Sequence, residues 1–200
     1  MKKILHLISS PRGESSYSVQ LAKAIIEQIQ STDQNSTIKE INLATSHFPH
    51  LEESHLTSFF TPPENRTSAN LSAIRHSDVA VAEIMEADEI VIGAPMYNFG
   101  IPSALKAWID HICRSGLTFT YGENGPKGLI KNKKVYVAMS SGGIYSDGPA
   151  KAMDFVTPYL TAVFGFLGIT DVRILRVEGT SIPGIKDQAM AKAIAGIDVN

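Results

Sequence analysis

The sequence has little of several features that mark other classes of protein. Cys113 is the single cysteine among 200 residues, which excludes an internal disulfide framework and indicates a reducing, cytoplasmic location. No apolar run approaches the roughly 20 residues that span a bilayer, so no contact with a membrane is expected. The 18 Lys and Arg residues nearly balance 20 Asp and Glu residues, which offers no basic surface for nucleic acid. The expected partners are small molecules or a second copy of the chain.

The common nucleotide-binding and nucleophile motifs are also missing. Neither the Walker pattern G-x-x-x-x-G-K-[ST] nor the dinucleotide pattern G-x-G-x-x-G occurs. A phosphatase with a cysteine nucleophile would carry its thiolate in the first loop, whereas Cys113 lies on a later predicted helix. His47, His50 and His55 lack the cysteine or carboxylate pattern of a metal site. Neither covalent phosphate chemistry nor a bound metal is therefore expected.

Short apolar runs alternate with helical patterns along the chain. The first run, residues 4–8, follows two lysines and resembles the start of a secretory signal. It breaks at Ser9-Ser10-Pro11 without a cleavage site, and we interpret it as a buried strand. Several runs are nearly continuous in Ile, Val and Leu, as in strands that are buried on both faces. The predicted strands are residues 3–9, 37–43, 89–94, 134–140 and 171–177.

The helical patterns complete an alternating arrangement. Val19, Ile25 and Ile29 share one helical face, and residues 101–112 form a second amphipathic pattern with Gly116 just beyond its end. Further helices are predicted at residues 71–86, 154–167 and 187–197. Five strand–helix units predict an α/β fold with a doubly wound five-stranded parallel sheet and helices on both faces, in a single domain over residues 1–200.

Two segments lie outside this alternation. Residues 47–70 have no clear period and are interpreted as a long surface excursion, and the Gly- and Thr-rich residues 116–132 are interpreted as a second long loop that serves as a lid or a dimer contact. Asp110 and His111 are interpreted as a solvated or capping pair rather than an acid/base dyad. Cys113 is interpreted as a small, half-buried hydrophobe.

Three loops are expected to converge, because ligands bind beyond the carboxyl ends of the strands in an open parallel sheet. The first loop runs into a helix and carries many hydroxyl groups. Ser10, Ser16 and Ser18, together with the free amides of a helix start, can hold a phosphate. The alternative is that these serines act only as caps and turn formers.

The second and third loops have the composition of a site for a flat ring. Beyond the third strand lie Met96, Tyr97, Asn98 and Phe99. Aromatic and thioether surfaces can pack on a heteroaromatic ring while an amide bonds its polar edge, although the rings could instead close the core. Residues 140–145 include paired glycines, which let the backbone approach a ligand closely. The three loops together match the phosphate, ring face and ring edge of FMN.

Longer stretches resemble the FMN-dependent NADH-azoreductase family, a branch of the flavodoxin-like quinone reductases. The similarity covers essentially the whole chain, and the stretches occur in the family's order. Its most specific pieces are residues 94–99, 116–119, 121–128, 142–144, 147–149 and 164–171. The resemblance implies a flavodoxin-like fold, one non-covalent FMN per subunit, and a homodimer with the flavins at the subunit interface, which would place residues 116–132 near the neighbouring site.

The resemblance also implies which residues contact FMN. The phosphate would be held by Ser10, Ser16, Tyr17 and Ser18. The isoalloxazine ring would be lined by Met96, Tyr97, Asn98 and Phe99. Its pyrimidine side would be contacted by Ser140, Ser141, Gly142 and Gly143. No catalytic side chain is required, since the cofactor carries the redox step, and Tyr145 is a candidate proton donor.

The implied activity is the reduction of quinones and the reductive cleavage of azo compounds by NADH or NADPH in a ping-pong scheme. Ser141, Tyr145 and residues 11–13 depart from the family pattern, which leaves the substrate range and the choice of donor open. The alternative is an electron-transfer flavodoxin, but such carriers are usually acidic and need no long lid. A protein that retains FMN only as a sensor is a third hypothesis.

Overall fold

The structure, a computed structural model, describes residues 1–199 as a regular alternation of strands and helices. The strands are β1 (Lys3–Ile8), β2 (Thr37–Asn42), β3 (Glu89–Pro95), β4 (Phe119–Gly122), β5 (Gly125–Gly128), β6 (Lys134–Ser140) and β7 (Asp171–Val177). The α-helices are α1 (Tyr17–Thr32), α2 (Glu53–Phe60), α3 (Ser68–Glu86), α4 (Ser103–Ile112), α5 (Thr157–Leu167) and α6 (Lys186–Ala195). All five predicted strands and all five predicted helices are present, with small differences at their ends.

Five strands form one parallel sheet in the order β2-β1-β3-β6-β7. Ile4 in β1 pairs with Ile38 on one side and with Glu89 on the other, so β1 is a central strand. The chain adds β2 on one side of β1 and all later strands on the other, which is the flavodoxin-like order with its switch point between β1 and β3. The predicted α/β class and five-stranded parallel sheet are confirmed.

Alternate strand residues enter two core layers on opposite faces of the sheet. Leu5 and Leu7 belong to the layer under α3, α4 and α5, whereas Ile4 belongs to the layer under α1 and α6. β3 is buried along its whole length, as its continuous apolar run predicts. Each Ile or Leu side chain buried in this way contributes about 1.5–3 kcal/mol. Among the described helices, none combines the length and hydropathy that crossing a membrane requires.

Residues 47–70, interpreted from the sequence as a long surface excursion without clear period, contain regular structure. This segment contains α2 and the start of α3. At the start of α2 the Glu52 amide donates to Nδ1 of His55 at 2.9 Å, which closes a capping box. Asn70 then donates to the Ser58 hydroxyl at 2.9 Å and ties α2 to α3. The helix therefore depends on side-chain contacts that a periodicity of apolar residues does not reveal.

Residues 116–132 also contain regular structure, since β4 and β5 pair as an antiparallel hairpin. The hairpin packs closely on the end of α5. A Cβ atom added to Gly128 would come within 2.4 Å of the Gly168 backbone, so glycine is required at this contact. Ile130 donates to the carbonyl of Leu167 at 3.0 Å just beyond it. The predicted long loop is thus an ordered hairpin fixed to the domain.

The prediction for the Asp110-His111 pair is wrong for its histidine. Asp110 pairs with Lys106 at the surface, whereas His111 is completely buried. The ring of His111 lies edge-on to His55 and Phe48, with centroids 4.8 Å and 5.1 Å apart. Burial lowers the pKa of His111 to about 4, so the ring is neutral.

Cys113, by contrast, is half-buried as predicted, and burial raises the pKa of its thiol to about 11. An un-ionised thiol is a poor nucleophile at neutral pH.

Candidate active site

The first loop places hydroxyl groups and free amides at the start of α1. Ser10, Ser16 and Ser18 are all buried, and the Oγ atoms of Ser16 and Ser18 lie 3.0 Å apart. The amides of Tyr17 and Ser18 donate to no acceptor within residues 1–199, because the first turn of a helix has no preceding carbonyls. These donors and the positive end of the helix dipole can hold a dianionic phosphate without a lysine.

The first loop is connected to the second by a pair of hydroxyl groups. The Oγ atom of Ser10 lies 3.3 Å from the phenolic oxygen of Tyr97, within hydrogen-bonding distance. Ser9 donates to the carbonyl of Gly93 at 2.6 Å and holds the end of β1 against β3. The phosphate-binding and ring-binding candidates therefore meet at the switch point of the sheet.

The second loop is a tight hairpin turn with an unusual backbone. The amides of Tyr97 and Gly100 each donate to the other residue's carbonyl at 3.0 Å. The two central residues, Asn98 and Phe99, have φ values of 50° and 69°. Positive φ at both central residues is typical of a type I′ turn, which favours the sequence Asn-Gly. A Phe at the second central position is therefore strained, by about 1–3 kcal/mol. The turn keeps two aromatic rings exposed, Tyr97 at 37% and Phe99 at 40%.

The third loop presents backbone amides along one edge. The carbonyls of Gly142 and Gly143 accept hydrogen bonds from Ser181 and Gly179, each at 3.0 Å, and the Ser141 hydroxyl donates to the Gly143 carbonyl at 2.9 Å. These bonds use the carbonyls, while within the described residues the Gly142 and Gly143 amides donate to no protein acceptor. The loop can thus offer two N–H donors to the polar edge of a ring.

The loops converge across short contacts at one end of the sheet. Met96 donates to the carbonyl of Ser140 at 2.8 Å, which fixes the second loop beside the third. The rings of Phe99 and Tyr145 then face each other edge to face with centroids 6.3 Å apart. Two of the predicted site residues also pack on the core: the Tyr17 ring packs on the layer under α1, and the Met96 side chain packs on the layer under α3, α4 and α5.

Sequence reasoning missed a group of charged residues that supports these loops. Arg176 in β7 pairs with Asp154 at 2.7 Å, and Glu178 accepts a hydrogen bond from the Tyr145 amide at 2.8 Å. Arg176 and Glu178 are neighbours along the chain, but Asp154 lies 22 residues from Arg176 and Tyr145 lies 33 residues from Glu178, so no local pattern predicts these contacts. On the other side of the third loop lies a cavity of about 580 Å³ between β7 and α6, with Ile144 and Lys192 in its wall.

Comparison with known proteins gives one consistent set of relatives. The family described as Flavodoxin-like fold matches residues 2–199. A protein of Mesorhizobium japonicum (strain LMG 29417 / CECT 9101 / MAFF 303099) named FMN-dependent NADH:quinone oxidoreductase is 43% identical over 196 residues, which cover 98% of this chain and 93% of the relative. A protein of the same name from Herminiimonas arsenicoxydans is 47% identical over 182 residues, 91% of this chain and 89% of the relative.

Solved structures agree with these relatives. An azoreductase from Bacillus anthracis str. Sterne superimposes with a TM-score of 0.90 at 29% identity, covering 98% of this chain and 96% of the other. An FMN-dependent NADH-azoreductase from Bacillus anthracis str. Ames Ancestor in complex with FMN superimposes with a TM-score of 0.86 at 30% identity, covering 98% and 97% of the two chains.

Proposed function

The chain belongs to the flavodoxin-like family of FMN-dependent NADH:quinone oxidoreductases and azoreductases, and from this membership we propose that it uses FMN to reduce quinones to hydroquinones and to cleave azo compounds reductively. The observation that carries this proposal is the convergence of three loops at the β1/β3 switch point. Each loop provides one kind of group that FMN needs: hydrogen-bond donors for the phosphate, an aromatic surface for the ring, and free backbone amides for the ring edge.

The residues present fit FMN, tested on the donors and space that the chain itself provides. The first loop offers hydrogen-bond donors that match the oxygens of a phosphate: the free amides of Tyr17 and Ser18 and the buried hydroxyls of Ser16 and Ser18. A Cβ atom added to Gly142 would lie 2.8 Å from the Ser181 hydroxyl, so glycine lets the third loop pass this point without displacing that side chain. Because the amide and hydroxyl donors lie in the first loop, we assign the phosphate to that loop.

The ring is assigned to the second and third loops. Met96, Tyr97, Asn98 and Phe99 would line it, and Ser140, Ser141, Gly142 and Gly143 would contact its pyrimidine side. Ser10 would act between the phosphate and the ring, because its hydroxyl in the first loop lies within hydrogen-bonding distance of the Tyr97 hydroxyl in the second. FMN, when bound, supplies the two-electron redox chemistry. The chain's own contribution is to bind and orient the ring, and the Gly142 and Gly143 amides would stabilise negative charge at its edge.

Donor and acceptor are proposed to use a single opening in turn. The Phe99 ring in the second loop and the Tyr145 ring in the third lie edge to face with centroids 6.3 Å apart, which favours one opening that nicotinamide and quinone share. Sequential occupation of one opening is a ping-pong scheme. Tyr145 is half-buried beside this opening, where its hydroxyl could return a proton to the product.

A homodimer in the cytoplasm is proposed as the working form. Apolar side chains are exposed on the β4–β5 hairpin and before α5, including Tyr121 at 70% and Phe155 at 59%, and the Phe155 amide donates to the Phe99 carbonyl of the second loop. Exposed apolar side chains clustered around a binding site are typical of a protein interface. Such an interface would cover these side chains and close the side of the active site that one subunit leaves open.

The test is a spectroscopic titration of the purified full chain with FMN, followed by anaerobic addition of NADH and then of a quinone such as menadione. We expect the flavin absorbance to bleach with NADH and to recover with quinone. Flavin that binds but stays oxidised until a partner reductase is added would instead identify an electron-transfer flavodoxin. Absence of FMN binding would overturn the proposal entirely.

A further inference from the structure

Arg176 lies between the carboxylates of Asp154 and Glu178, each of which supports a different loop of the candidate active site. Its Nη2 atom donates to Oδ2 of Asp154 at 2.7 Å, and its Nη1 atom donates to Oε1 of Glu178 at 3.4 Å. Nη2 also donates to the Thr157 hydroxyl at 2.9 Å. Asp154 is buried and the Glu178 side chain is nearly so, and removing one partner from pairs of this kind is far more disruptive than at the surface.

The first carboxylate leads to the ring-binding hairpin. Oδ1 of Asp154 accepts the amides of Val156 and Thr157, both at 3.0 Å, and so fixes the turn into α5. Phe155, held inside this turn, donates its own amide to the carbonyl of Phe99 at 3.2 Å. Burial opposes ionisation of Asp154, but hydrogen bonds from Thr157 and Arg176 outweigh it and hold its pKa below the ordinary value. Asp154 is therefore anionic when it positions Phe155.

The second carboxylate leads to the loop on the opposite side. Oε1 of Glu178 accepts the amide of Tyr145 at 2.8 Å. The Tyr145 ring then meets the Phe99 ring edge to face at 6.3 Å. The contacts form a closed circuit from Phe99 through Asp154, Arg176 and Glu178 back to Tyr145. Arg176 is the single residue in this circuit that touches both carboxylates.

We propose that Arg176 is a positioning residue that fixes the 97–100 hairpin and the 140–145 loop relative to each other, and so sets the opening that nicotinamide and quinone share. It touches neither FMN nor substrate and acts only through Asp154 and Glu178. The inference rests on the proposed function for the identity of the ligands. The mechanical link itself is a property of the chain with or without FMN.

The experiment compares Arg176→Met with Arg173→Met in the full chain. Arg173 is a matched control, because it lies on the same edge strand and also pairs with an aspartate, Asp171 at 3.1 Å, but far from the loops. The first readout is residue-resolved hydrogen exchange of the Tyr145 and Phe155 amides without added FMN. The second is the FMN dissociation constant, and the third is the separation of KM from kcat at saturating FMN.

Arg176→Met is expected to speed exchange at both amides by about tenfold or more and to weaken FMN binding by about tenfold, since two hydrogen-bonded carboxylates lose their cation. The KM values for NADH and quinone are expected to rise several-fold, with kcat changed less than about twofold. Arg173→Met is expected to match the wild type in all three readouts.

Arg176→Lys covers the case in which Arg176→Met does not fold. Lysine keeps the charge but lacks the planar fork, so it can serve one carboxylate well and not both, and intermediate exchange rates and KM values are expected. Wild-type exchange and KM values in a folded Arg176 variant would overturn the inference. If the Arg176 variant exchanges both amides faster but the wild type itself fails to oxidise NADH, the mechanical link is kept and the proposed function is rejected instead.

Discussion

The Nε2 atom of His111 donates a hydrogen bond to the carbonyl oxygen of Pro49 at 3.1 Å. A carbonyl can only accept, so the proton of the neutral ring is on Nε2. Its Nδ1 atom is buried and has no partner within residues 1–199. A second proton would therefore place an uncompensated charge among aromatic rings, which explains why burial lowers the pKa of His111 to about 4.

The stability of the fold should consequently depend on pH. The unfolded chain binds a proton at His111 near pH 6.5, whereas the folded chain does so only near pH 4. The contribution is complete above pH 6.5 and is lost as the pH falls toward 4, by at most about 3 kcal/mol. Urea unfolding between pH 4 and 8 should show this slope in the wild type and a shallower one in His111→Leu. His50→Gln, at an exposed histidine, is the control and should keep the full slope.

His6 also contributes to the pH dependence of stability, because burial lowers its pKa despite the nearby Glu40 carboxylate. The informative quantity is therefore the difference between the wild-type slope and the His111→Leu slope. Equal slopes in the two proteins would contradict the assignment of the effect to His111.

The hydroxyls at the start of α1 should contribute to FMN affinity. Ser18→Ala removes a buried hydroxyl that lies 3.0 Å from that of Ser16. Loss of one hydrogen bond to a charged phosphate is expected to weaken FMN binding by about tenfold or more. Ser31→Ala, at the exposed far end of the same helix, removes the same chemical group and should leave the affinity unchanged. Fluorescence titration with FMN measures both, and equal affinities for Ser18→Ala and the wild type would remove the phosphate from this loop.

The strained turn at Phe99 separates stability from function. Phe99→Gly creates the Asn-Gly pair that a type I′ turn prefers, so strain relief offsets the lost ring contacts and the unfolding free energy should change by less than about 1 kcal/mol. The KM values for quinone and NADH should nevertheless rise several-fold, because the ring that borders the opening is gone. Phe164→Ala is the contrasting variant: its ring is fully buried, and its loss should destabilise the fold by about 3–5 kcal/mol. A large loss of stability in Phe99→Gly would show that its ring supports the core.

The third loop offers a test by steric rescue. Gly142→Ala places a Cβ atom 2.8 Å from the Ser181 hydroxyl, closer than packed atoms tolerate. Either the Ser181 side chain or the loop must shift, and a shift of the loop should weaken FMN binding through its amides by about tenfold. Adding Ser181→Ala removes the clashing oxygen and should restore most of the affinity, while Ser181→Ala alone should be neutral. Failure of the double variant to recover would mean that the clash does not control FMN binding.

The proposed dimer interface can be tested by comparing two exposed aromatic side chains, Tyr121 on the β4–β5 hairpin and Phe60 on α2. Tyr121→Arg introduces a charge into the exposed apolar surface of the β4–β5 hairpin and should weaken dimerisation, as measured by sedimentation velocity, by about a hundredfold or more. Phe60→Arg, at a side chain 78% exposed on α2, is the control and should not change the oligomeric state. Dissociation by Phe60→Arg alone would place the interface at α2 instead of at the hairpin.

The sheet could be predicted because its signal is local. Strands such as β3 are buried on both faces and are therefore continuous apolar runs, and α1 shows its buried face directly in the sequence. Helix α2 could not be predicted, since its ends are held by His55 and by the contact of Asn70 with Ser58 rather than by an apolar period. The β4–β5 hairpin was missed for a related reason, because the close approach of Gly128 to Gly168 is visible only in three dimensions.

The candidate active site likewise has a part that could be predicted from the sequence and a part that could not. Their composition and their position after strands β1, β3 and β6 were sufficient to predict that they meet. The charged frame of Asp154, Arg176 and Glu178 joins segments that are more than 20 residues apart along the chain, and single charged residues carry no local pattern. The role of the Tyr17 side chain could not be inferred either, because a helix start exposes its amide while its ring follows the helical face into the core.

The free amides of Tyr17, Ser18, Gly142 and Gly143 belong to the main chain, and every amino acid except proline supplies such a group. The donors that we assign to the ring edge, and two of those that we assign to the phosphate, thus come with the path of the backbone and not with particular side chains. Side chains around the opening are then free to diverge and adapt the enzyme to new acceptors, while the capacity to hold the cofactor is retained as long as the two turns keep their shape.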